Sequence, residues 1–201
     1  MIKAIIFDLG GVVLRHTYEN TFELMGNFFG IEDIKVQEFY EKYKNDWTLG
    51  RLNVKKVAKL FQNITSGEKT IASIIETWQK IHESQVDIDK QVIKIIKKLK
   101  KDYKIYLLSN TIDLHFNAIG KTGIYELFDK VFTSFTLGLK KPDQEIFLHV
   151  LKKIRVKPSG VIFIDDKIAN IESANSVGIH SILFKGSKSL ASSLKKSGVK
   201  I

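Results

Sequence analysis

Three short apolar runs in this chain end in residues that a buried strand should not carry, and this limits the possible folds more than any other feature. Residues 3–7 run into Asp8, residues 103–108 into Ser109-Asn110-Thr111, and residues 161–164 into Asp165-Asp166. Further apolar runs lie at 130–132 and 180–184, and between the runs residues 90–101, 114–121, 144–154 and 168–177 repeat their apolar positions at helical spacing. Strands alternating with helices predict a parallel sheet covered on both faces, a Rossmann-like α/β fold. Ligands of such sheets bind beyond the carboxyl ends of the strands. An uncompensated charge at the end of a buried strand is costly. One such ending reads as a turn or a cap; three on one edge predict a site.

Residues 16–87 break the alternation. They hold amphipathic patterns near 21–29, 34–46, 54–61 and 70–84 and no convincing strand. This predicts a helical-bundle cap inserted after the first strand, with residues 1–15 and 88–201 forming the core and the chain returning to it near 87–89. A length of 201 residues suits a core with one smaller insertion.

Composition then removes several classes of function. The chain has no Cys, which excludes disulfides, thiolate catalysis and Cys-based metal sites. No apolar run approaches the roughly 20 residues of a membrane helix. The apolar N-terminus meets Asp8 too soon for a signal peptide. The expectation is a cytoplasmic protein that does not engage membranes, with monomer and homodimer both open. A net charge of +10 invites a nucleic-acid reading, but of the 32 basic residues only Arg15, Arg51 and Arg155 carry the planar fork that base and phosphate recognition favours. The lysine pairs at 97–98, 100–101, 152–153 and 195–196 read as solvated helix faces. A small anionic substrate fits this field better than a nucleic acid.

Four segments carry a more specific message: Phe-Asp-Leu-Gly-Gly-Val at 7–12, Leu-Ser-Asn-Thr at 108–111, Lys-Lys-Pro-Asp-Gln-Glu-Ile-Phe at 140–147 and Phe-Ile-Asp-Asp at 163–166. In this order and spacing they resemble the haloacid dehalogenase-like (HAD) hydrolases, in the branch with a small helical cap after the first motif, and are similar to sugar-phosphate phosphatases. The resemblance implies a Mg²⁺-dependent phosphohydrolase acting on a small phosphorylated substrate. Asp8 would attack phosphorus and form an aspartyl-phosphate. Mg²⁺ would be held by Asp8, the Gly10 carbonyl and Asp166, with Asp165 binding directly or through water. The Ser109 hydroxyl and the Asn110 backbone N–H would hold the phosphate at a helix start. Lys141 would pair with Asp8 and the phosphate, with Lys140 as the adjacent competitor. Asp143 is expected to cap the helix over 144–154.

One position departs from the family pattern. Phosphatases of this kind carry a second Asp two residues after the nucleophile, which protonates the leaving group; here that position is Gly10. Such general acid–base catalysis is commonly worth about 10²–10⁴ in rate. The gap is compatible with an activated substrate such as a sugar 1-phosphate, with an acid supplied by His16 or the cap. It is also compatible with a silent fold that binds a phosphorylated ligand or partner. A 2-haloacid dehalogenase lacks the second Asp too, but works without metal, and the Asp165-Asp166 pair argues against it. The segment from Trp47 to Leu52 reads either as a turn over the pocket, with Trp47 or Arg51 touching substrate, or as Trp47 in the cap core with Arg51 solvated. His82, His115, His149 and His180 have no metal-ligand spacing and read as surface or packing residues.

Overall fold

The structure is a computed structural model that describes residues 1–15, 20–65 and 69–201. Its centre is a five-stranded parallel sheet in the order β5-β4-β1-β6-β7, formed by β1 (Ala4–Phe7), β4 (Lys104–Ser109), β5 (Lys130–Thr133), β6 (Val161–Asp165) and β7 (His180–Leu183). β1 is central, pairing Ile5 with Ile105 on one side and with Ile162 on the other. Both faces of β1 and β6 are buried, so their sequences read as continuous apolar runs without alternation.

Helices cover each face. α5 (Lys90–Leu99) and α10 (Ser187–Lys196) close the layer that contains Ile5, Phe7, Ile105 and Ile162. α8 (Gln144–Ile154) and α9 (Ile168–Ser176) close the opposite layer over Ile6, Leu108 and Phe163. The helix expected over 114–121 is α6 (Asp113–Gly120), and a short α7 (Ser134–Leu137) directly follows β5. The chain is thus an α/β fold of the Rossmann-like kind.

The interrupting segment holds α1 (Thr21–Phe29), α2 (Asp33–Thr48), α3 (Val54–Gln62) and α4 (Ile71–Ser84). Its two ends are tied by β2 (Leu14–Arg15) and β3 (Asp87–Ile88), which pair antiparallel with Leu14 opposite Ile88. Arg15 reinforces that ribbon with ion pairs to Asp87 and Asp89 at 3.4 and 3.6 Å. The insert has its own aromatic core of Phe29, Phe39, Trp47, Phe61 and Trp78, and this cluster runs on into Ile112 and Leu114 of the sheet domain. Contact continues at Gly50, whose φ of +70° suits glycine. A Cβ there would lie 2.1 Å from the Phe135 carbonyl oxygen, so the backbones touch where any side chain would separate them.

Candidate active site

The carboxyl ends of β1, β4 and β6 bring the three polar endings together. After Phe7 the chain turns tightly: the Leu9 carbonyl accepts from the N–H groups of Val12, Val13 and Leu14, and Gly11 takes φ of +82°. Gly10 is not among the positive-φ residues, so its backbone does not itself require glycine. Asp8 is 6% exposed and Asp165 is fully buried. With Asp166 they offer carboxylate oxygens within 4.8 Å of one another.

Lys141 enters from the loop before α8 and is 3% exposed. Its Nζ lies 2.7 Å from Asp8 Oδ1 and 2.6 Å from Asp165 Oδ2, and it donates to the Leu108 carbonyl at 2.9 Å. Burial works against its charge, but Asp8 and Asp165 outweigh that and raise its pKa. Burial pushes the Asp8 carboxyl up from 3.8 to about 6; Lys141 opposes the shift and the Asp165 charge adds to it. The adjacent Lys140 goes elsewhere, donating to Asn45 Oδ1 of α2 at 2.6 Å.

The loop that presents Lys141 is clasped by Asn110. Asn110 Nδ2 donates to the Lys141 carbonyl at 2.7 Å, and the Lys141 N–H donates back to Asn110 Oδ1 at 2.9 Å. Ser109 ends β4 and is buried, while Asn110 and Thr111 lie in a loop before α6 begins at Asp113. The helix start expected at Ser109-Asn110-Thr111 is therefore displaced along the chain, because Ile112 takes extended backbone at the N-cap. Asp143 stands at the N-cap of α8, but its side chain makes no cap bond, contrary to the sequence expectation.

Two residues with site roles left little trace in the sequence. Asn170, in α9, donates Nδ2 to both Asp165 oxygens at 2.9 Å, and the Lys167 N–H completes the shell at 2.8 Å from Oδ1. Asp113 accepts the Trp47 indole N–H and the Val54 N–H, binding the insert to the core. Trp47 is therefore an interior residue, and Arg51 is an exposed partner of Asp46 at 2.9 Å. A cavity of about 450 Å³ separates insert and core, bounded by Tyr40, Lys44 and Asn45 on α2 and reaching Asn110, Lys140 and Lys141. His16 lies outside the described residues.

Residues 2–178 match the haloacid dehalogenase-like hydrolase family. The chain belongs to that family. It is 28% identical over 193 residues to a D-ribitol-5-phosphate phosphatase of Bacteroides thetaiotaomicron, covering 90% of this chain and 91% of that protein. It is 29% identical over 179 residues to a sesquiterpene phosphatase of Aspergillus oryzae, covering 88% and 87%. It spans only about a third, 34%, of a drimenol cyclase of Aspergillus calidoustus, at 28% identity over 92% of this chain. A crystal structure of the Bacteroides thetaiotaomicron HAD family enzyme bt-2542, a magnesium complex, superposes with a TM-score of 0.78 at 26% identity, covering 92% of this chain and 93% of that one. The two phosphatases named above are matched over most of their own length, which groups the chain with the phosphoric monoester hydrolases of the family.

Proposed function

We propose that the protein is a Mg²⁺-dependent phosphatase of a small phosphorylated metabolite, with a sugar 1-phosphate as the favoured substrate and α1–α4 acting as its cap. The observation that carries this reading is the Lys141 ammonium set between Asp8 and Asp165, with Asp166 beside them. One cation cannot neutralise three carboxylates, and the cluster's oxygen donors suit a hard divalent ion with ligand distances of about 2.1 Å. The magnesium complex of bt-2542 supports the same choice of metal.

The ligand set falls on Asp8, the Gly10 carbonyl and Asp166. Both Asp165 oxygens are already engaged by Lys141, Asn170 and the Lys167 N–H, so Asp165 acts by holding Lys141 or through a water. A Mg²⁺ ion held by these groups would supply charge neutralisation for the approach of a carboxylate to a phosphate. The Asp8 carboxylate attacks phosphorus in line while the leaving oxygen departs, and water then cleaves the aspartyl-phosphate. Lys141 holds Asp8 in place and draws charge from the phosphate oxygens. The Ser109 hydroxyl and the Asn110 backbone N–H complete the phosphate contacts. With no acid at Gly10, a leaving group that departs without full protonation is favoured, hence the anomeric phosphate.

Phosphate release from a panel including glucose 1-phosphate, with and without Mg²⁺, tests the reading against an Asp8→Asn control. The expected result is Mg²⁺-dependent turnover that Asp8→Asn abolishes. Turnover surviving that substitution would overturn the mechanism.

A further inference from the structure

The cavity between insert and core, which Lys141 helps to line, holds more positive charge than one phosphoryl group uses. Lys141 is among its lining residues, and its ammonium is committed to Asp8 and Asp165 at 2.7 and 2.6 Å. Three further lysines line it, Lys44 on α2 of the insert and Lys140 and Lys167 on the core side. Lys140 is fixed there by its 2.6 Å bond to Asn45 Oδ1, and Lys44, one residue before Asn45, lines the same space. Among the described lining residues Glu41 is the one carboxylate, and it meets Lys44 at 3.1 Å. Lys140 is partnered by an amide oxygen, not by an acid. With Oδ1 occupied, Asn45 still has its NH₂ group to donate.

A neutral polyol end would leave this wall with a surplus cation in a partly enclosed space. There a charge interacts more strongly than in bulk water, and an anion is the favoured occupant. The net charge of +10 draws anions toward the molecule in the same sense. We propose that Lys140 and Lys44, with Asn45, form a second anion subsite. The substrate is then a phosphate monoester that bears another anionic group, a carboxylate or a second phosphate, at the end remote from Asp8. This rests on the phosphatase reading for which end of the substrate lies at Asp8.

Three compounds that share the anomeric phosphate test it: glucose 1-phosphate, glucose 1,6-bisphosphate and glucuronic acid 1-phosphate. Calorimetric binding to the Asp8→Asn protein with Mg²⁺ reads recognition without turnover, and KM in the parent protein gives the same ratios independently. The doubly anionic compounds are expected to bind about tenfold tighter than glucose 1-phosphate. A preference for both compounds identifies a general anion subsite, and a preference for one of them selects phosphate or carboxylate. The preference should shrink toward unity in Lys140→Gln, which keeps an amide donor for Asn45, and in Lys44→Gln, and it should weaken with added salt. Equal affinity for all three compounds, or a preference that survives both substitutions, would overturn the subsite. Failure of the phosphatase reading is separate: it would show as no phosphate release by the parent protein, whatever the affinity ratios.

Discussion

Asp113, the first residue of α6, accepts the indole N–H of Trp47 at 2.6 Å across the junction between the helical insert and the sheet domain. Its other oxygen accepts the Val54 N–H at 2.9 Å, so one carboxylate holds the end of α2 and the start of α3. Trp47 is 1% exposed, and removing its acceptor strands a buried donor. Asp113→Ala is expected to destabilise the protein by about 1–3 kcal/mol in urea unfolding. It should also raise KM more than it lowers kcat, because the cavity wall on α2 loses its anchor while Asp8 and Lys141 stay in place. An unchanged unfolding midpoint would mean that the aromatic cluster alone docks the insert.

The neighbouring lysines should separate cleanly. Lys141→Met leaves Asp8 and Asp165 facing each other in the interior without their cation, at a cost of about 3–5 kcal/mol, and activity should be lost. Lys140 is half-buried with a single bond to Asn45, so Lys140→Ala should cost about 1 kcal/mol or less. Chemical unfolding of both variants checks the contrast. Similar losses would mean that Lys141 is not holding the buried pair.

Asn170→Leu removes both amide bonds to Asp165. The buried Asp165 would keep Lys141 and the Lys167 N–H but lose the donor that fixes its plane. Partners of this kind typically govern metal affinity by about 10–100-fold, so a Mg²⁺ titration of activity should shift to higher concentration by that order. A titration superimposable on the parent's would restrict Asn170 to packing.

Much of this site could be read from the chain because its parts sit where strands end. Asp8, Ser109 and Asp165 each close an apolar run, and a parallel sheet must bring such endings to one edge. The sequence left less trace of residues that act through packing. Asn170 lies beside Ile171 and Ala174 on the buried side of α9, a polar residue on an apolar stripe, and that mismatch was the available signal. Asp113 carries no local signal of its role, because its partners Trp47 and Val54 are more than fifty positions away. β2 and β3 have two residues each, too few for any periodicity to register. The division of labour between Lys140 and Lys141 depends on Asn45 in the insert, which local patterning cannot supply.

Gly10 gives a prediction about chemistry. Its φ lies outside the positive region, so an Asp can be placed there without backbone strain. Gly10→Asp should accelerate hydrolysis of an unactivated alkyl phosphate such as glycerol 3-phosphate, up to the roughly 10²–10⁴ that general acid catalysis provides. The gain on glucose 1-phosphate should be smaller, because its leaving group needs less help. Equal rates for variant and parent on the alkyl phosphate would show that another residue already supplies the proton.

The last prediction concerns acid stability and a stacked pair of imidazoles. His82 of α4 and His115 of α6 lie parallel, with ring centroids 3.7 Å apart, where the insert meets the core. Burial lowers the His82 pKa from 6.5 to about 4; burial, together with the His82 charge, also holds His115 well below the usual value. In the unfolded chain both rings take up protons as the pH falls through about 6.5. In the folded protein His82 stays neutral until about 4. The unfolded state therefore binds more protons between these values, and stability rises with pH across the window. Stability is fully present above about 6.5 and is lost as the pH falls toward 4, at about 1.4 kcal/mol per pH unit for each such histidine. Glu41 and Lys44 line the same cavity as this stack, and Lys121 pairs with Glu83, next to His82 in the chain, at 2.6 Å. The melting temperature should drop steeply from pH 6.5 to 4.5, and His82→Phe, which keeps an aromatic ring against His115, should flatten the drop. An equally steep fall in His82→Phe would assign acid sensitivity to the carboxylate cluster instead.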